Sequence, residues 1–105
     1  MVLDLSKISG IGDYDIEIKQ TFKQNQPAKS RTVYKKGTKT FLVENDHTLE
    51  LRTDEQLAKT LIDKYESVME SRYFGRGGIE IVTSARQLAP TELDDLIRLS
   101  YNLTN

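Results

Sequence analysis

The sequence predicts a single two-layer α+β domain: an antiparallel β-sheet with two main helices packed on one face. Three observations lead there. Short stretches with alternating apolar residues recur along the chain, separated by brief turns bearing glycine or asparagine. Two longer stretches carry apolar residues at spacings of three and four. At 105 residues the chain fits one small domain, so residues 1–105 should share one core.

The elements follow in order. In residues 1–12, Val2, Leu5 and Ile8 suit one face of a short helix, which the glycines of "SGIG" would stop. "YDIEIK" (14–19) puts Tyr14, Ile16 and Ile18 on one side and Asp15, Glu17 and Lys19 on the other, the pattern of a half-buried strand. "KQNQPAKS" (23–30) is polar and holds Pro27, so it reads as a loop. "RTVYKKGTKTFLVENDHTLELRT" (31–53) reads as a three-stranded meander, turning at "KKGT" and again at "NDH".

At Thr53 the period changes. Thr53 and Gln56 have capping-box spacing, and Asp54 and Glu55 favour the first helical turn. Leu57, Leu61, Ile62, Tyr65, Val68 and Met69 then predict an amphipathic helix over about residues 53–69. "GIEIVT" (78–83) alternates as a strand. Pro90 suits a first helical position, with Thr91 as a capping candidate. Leu93, Leu96, Ile97, Ser100 and Tyr101 form the inner stripe of this last helix. Asp94, Asp95 and Arg98 fall outside it.

Composition excludes several function classes. There is no cysteine, so disulfides, thiolate nucleophiles and cysteine-based metal centres are absent. The start of the chain lacks the pattern of a signal peptide, and no apolar run approaches the ~20 residues of a membrane helix. A cytoplasmic location with no membrane partner is the default expectation. Net charge is −1 and the pI is about 5.8, which gives no global attraction to nucleic acid. The charge is unevenly distributed, however. Residues 1–18 sum to −3, residues 19–39 to +7 with no acid, and residues 40–105 to −5.

"TVYKKGTKTFLVEN…LELRTDEQLAKTLIDKY" resembles the body of the MmcQ/YjbR family, with Lys39 and Phe41 in its Lys-x-Phe strand. "LAPTELDDLIRLSYNLT" is similar to that family's closing helix, where Ser100, Tyr101 and Leu103 fill a Ser-Tyr-x-apolar pattern. The resemblance covers about residues 31–104. Residues 1–30 diverge: the family usually opens with a helix and a Pro-Trp-Gly-like segment. A tryptophan common in the family is also absent, with Ile79 about in its place. The resemblance implies an antiparallel sheet with helices against it. It implies no settled activity, but it does suggest DNA binding through protruding β-hairpins.

"RYFGRGGIEI" (72–81) holds three glycines around Arg76 yet lacks the G-x-x-x-x-G-K-[ST] spacing of a phosphate loop, and it leads into a strand rather than a helix. A hairpin or loop tip is expected, with Gly75, Gly77 and Gly78 allowing the turn. Together with "KKGTK", it sets out a candidate nucleic-acid site. Lys35, Lys36, Lys39, Arg72 and Arg76 would contact phosphate, and Tyr73 would stack on an unpaired base. The plainer reading makes the glycines a connector, the lysines guards against edge aggregation, and Tyr73 or Phe74 part of the core. The rival function is a protein-interaction or dimerisation module using an open sheet face or an edge strand, for which "YDIEIK" is the obvious edge.

Catalysis is not expected. The lone His47 sits in a turn with Glu44 and Asp46, where carboxylates usually stay solvated, so neither a metal nor a triad is expected. Asp94 and Asp95 are adjacent on a helix and point apart. Ser100 and Tyr101 are best explained by packing and hydrogen bonding. No cofactor is called for.

Overall fold

A computed structural model describes residues 4–21, 24 and 29–104. The strands are β1 (Asp15–Thr21), β2 (Lys29–Lys36), β3 (Lys39–Glu44), β4 (Thr48–Arg52), β5 (Val68–Ser71) and β6 (Gly75–Val82). The helices are α1 (Glu55–Lys64) and α2 (Pro90–Leu103), with single 3₁₀ turns at Leu5–Lys7 and Thr83–Ala85. The six strands form one sheet in the order β1-β2-β3-β4-β6-β5, every neighbouring pair antiparallel. No helix among the described residues is long and apolar enough to cross a membrane.

The meander over 31–53 forms as expected, turning at Gly37, whose φ of +65° suits glycine. Most of the loop expected at 23–30 lies outside the described residues, and β2 already begins at Lys29. Val2 of the expected N-terminal face also lies outside them, while Leu5 and Ile8 are buried.

The helix expected to reach Met69 stops at Lys64. Val68 and Met69 belong instead to β5, where Val68 is buried and Met69 exposed. Their spacing fits helix and strand equally, and pairing with β6 decides it. The helix start also differs. Asp54 is the N-cap, accepting from Leu57 N–H at 2.7 Å, while the buried Thr53 donates to the Asp54 carbonyl. In α2 Pro90 takes the first turn, but Thr91 does not cap; Glu92 reaches back to the Ala89 N–H.

Both helices lie on one face of the sheet. Tyr34, Phe41, Leu42, Leu49, Leu51, Ile79 and Ile81 point to that face and cluster with Ala58 of α1 and with Ile97 and Tyr101 of α2. Each large aliphatic side chain buried this way contributes roughly 1.5–3 kcal/mol. Phe41 sits edge-on to Tyr101 at 5.0 Å. Ser100 fastens α2 to the sheet: its Oγ accepts the Arg52 N–H at 2.7 Å and donates to the Phe41 carbonyl at 2.5 Å.

Among the described residues, the opposite face has no helix over it. By register, Val33, Val43, Glu50 and Glu80 share this face. All four are nonetheless buried, and the two valines lie outside the helix-side cluster. What seals Glu50 and Glu80 is the connection between β5 and β6.

Candidate nucleic-acid interface

Arg72, Tyr73 and Phe74 join β5 to β6 and fold back over the helix-free face. Gly75, at φ +71°, reverses the chain. Gly78 leaves room for Phe74: a Cβ there would stand 2.6 Å from the Phe74 Cβ. Of the three glycines in this stretch, then, one makes the turn and another admits an aromatic ring.

Two carboxylates anchor the connection. Glu50 and Glu80 are cross-strand partners on β4 and β6. Glu50 accepts from Ser71 Oγ, from the Tyr73 N–H and from Asn45 Nδ2, each at 2.9 Å. Glu80 accepts from Arg72 Nε at 3.0 Å, from Arg72 Nη2 at 2.8 Å and from Thr48 Oγ1 at 2.8 Å. Burial pushes the Glu80 carboxyl up. The hydrogen bonds from Arg72 and Thr48, with the Arg72 charge, outweigh this and hold it below its ordinary value. The same pairing raises Arg72.

The register puts the Gly37 turn and the 72–74 connection at the same end of the sheet. Leu42 pairs with Leu51 and Arg52 with Gly78, so both turns project beyond the Arg52 end of β4. The Tyr73 hydroxyl closes the gap, lying 3.0 Å from Thr40 Oγ1. The Arg31 guanidinium carbon sits 5.5 Å from the Tyr73 ring centre. Phe74 meets Tyr73 edge-on at 4.9 Å, and the Arg52 guanidinium carbon lies 4.8 Å from the Phe74 ring. Arg52 is also tied to the Thr40 carbonyl at 2.8 Å. The result is a row of cation, ring, ring and cation that joins β2, the β5–β6 connection and β4.

The six candidates from the sequence fare differently. Tyr73 is 37% exposed at the centre of this row. Lys39 and Arg76 are exposed and make no hydrogen bond or ion pair with any described residue. Lys35 is committed to Glu17 at 2.5 Å; that hydrogen bond raises the lysine and lowers the carboxyl. Arg72 is committed to Glu80, although its side chain remains largely exposed. Lys36 turns to the helix side, donating to the Tyr101 carbonyl at 3.2 Å and sitting 4.4 Å from the Tyr101 ring.

Arg31 and Arg52 were not singled out from the sequence, and Phe74 was named only as a core alternative. Arg31 alternates with Val33 along β2, which would have placed it on the valine side. Nothing local to Arg52 or Phe74 announces their contact, because it joins residues from separate elements.

Comparison with protein-family models, with curated proteins and with solved structures gave no match.

Proposed function

We propose that this chain is a small non-enzymatic binding domain that takes single-stranded nucleic acid on the helix-free face, beside the Gly37 turn. The observation that carries this reading is the joining of the two turns through Tyr73 and Thr40, with Arg31 against the Tyr73 ring. A partly exposed ring with a guanidinium beside it offers a base a stacking surface and its phosphates a counter-charge. Arg31, Lys39 and Arg76 supply the uncommitted charge, while Arg72 and Lys35 shape the site through their carboxylate partners. A single strand is favoured because stacking needs an unpaired base.

The test is fluorescence anisotropy with labelled single-stranded and duplex oligonucleotides over a range of salt. With three phosphates neutralised, the slope of log K against log salt should be about −2 for a single strand. Tyr73→Ala should weaken single-strand binding by roughly 1–3 kcal/mol. Lys39→Glu with Arg76→Glu should flatten the salt slope. Absence of binding at low salt would eliminate the proposal.

A further inference from the structure

We propose that two copies of this chain pair through β1, antiparallel and in one register, so that their sheets join into one. This goes beyond the nucleic-acid reading and does not depend on it.

β1 is an outer strand of the sheet: one side pairs with β2 over all of Asp15–Thr21, and the other has no neighbour among the described residues. Such an edge presents a row of backbone donors and acceptors open to a further strand. Its side chains are also out of keeping with a solvent-facing edge. Ile16 is 44% exposed and Ile18 is 59% exposed, both on the helix side but away from the helices, whose main packing is against β3 to β6. These are two of the five large apolar side chains left exposed among the described residues, and they stand two apart on one strand.

The order of side chains selects the partner. A two-fold axis normal to the sheet keeps like faces together only when paired residue numbers sum to an even value. Centring the axis on Ile18 sets Ile18 against its own copy and Glu17 against Lys19 of the second copy, twice over. Ile16 then lies diagonal to the second Ile18, within reach of a long side chain. Moving the centre to Glu17 opposes two glutamates, and moving it to Lys19 opposes two lysines; like charges directly opposite are unfavourable. The Ile18-centred register therefore uses the full strand, opposes no like charges and covers the exposed isoleucines. A second copy of this chain therefore matches β1 in both its charged and its apolar side chains.

Sedimentation velocity over roughly a hundredfold range of concentration should show a monomer–dimer equilibrium. Lys19→Glu opposes two pairs of glutamates and should raise the dimer dissociation constant about tenfold. Glu17→Lys opposes two pairs of lysines and should do the same. An equimolar mixture of these two variants restores both ion pairs and should dimerise where neither does alone. Circular dichroism of each variant checks that it is folded. Because the chain has no cysteine, Ile18→Cys gives an independent readout: mild oxidation should link two copies at the axis, and Gln20→Cys should link far less. A wild-type chain that stays monomeric throughout would overturn the proposal. So would a dimer indifferent to Lys19→Glu, or equal cross-linking at both positions.

Discussion

Glu50→Ala should release the 72–74 connection. Glu50 is 1% exposed and its carboxylate accepts three hydrogen bonds, two of them from Ser71 and Tyr73. Hydrogen bonds to a charged group contribute ~1.5–3 kcal/mol each, so three amount to roughly 4–9 kcal/mol. Removing a buried carboxylate also returns several kcal/mol of desolvation. Asn45 keeps a second acceptor in Thr48 Oγ1 at 3.0 Å, which softens the loss there. The net cost is about 2–4 kcal/mol, a large share of the ~5–15 kcal/mol that holds a domain together. Glu50→Gln is the control. It keeps one oxygen for Ser71 and Tyr73 and sets its amide against Asn45, at a cost of about 1 kcal/mol. Urea unfolding measures both changes, and hydrogen exchange at the Tyr73 amide locates them. Protection there should fall in the alanine variant and persist in the glutamine one. An alanine variant with the wild-type urea midpoint and a protected Tyr73 amide would refute the reasoning.

Two further outcomes follow from the same contacts. The Glu80 carboxyl is lowered from its ordinary value of 4.5, so the folded chain binds fewer protons than the unfolded one in acid. That stability is fully present above about pH 4.5 and is lost as pH falls through the folded value. Urea midpoints taken at falling pH should therefore drop, and Arg72→Leu should make the drop shallower; an unchanged acid limb would count against the pairing. Ser100→Ala leaves the Arg52 N–H without its acceptor and should lower Tm by roughly 5–15 °C. An unaltered melt would mean that the Arg52 amide had found another partner.

Much of the architecture could be read from the residues in order, since alternation and turn chemistry are local properties. The meander, β6 and α2 stand close to where the pattern put them, and α1 begins there. α1 ends early because "VMES" fits helix and strand alike, and the choice between them lies in β6, a partner not adjacent in the pattern. The candidate site was legible in part. Tyr73, Lys39 and Arg76 stand exposed at one end of the sheet, but Lys35, Lys36 and Arg72 have partners that no spacing rule could name.

One motif occurs three times and separates what is local from what is not. "IEI" in β1, "LEL" in β4 and "IEI" in β6 each place a glutamate between two branched apolar residues. The sequence alone determines that the glutamate faces one way and its neighbours the other, because a strand alternates. Tertiary structure decides the rest. In β4 and β6 the helices cover the apolar side and the 72–74 connection covers Glu50 and Glu80. In β1, at the edge, no helix covers Ile16 and Ile18 within the chain, and among the described residues Glu17 pairs with Lys35. Alternation is set by the geometry of a single strand, whereas burial depends on which other elements fold over it.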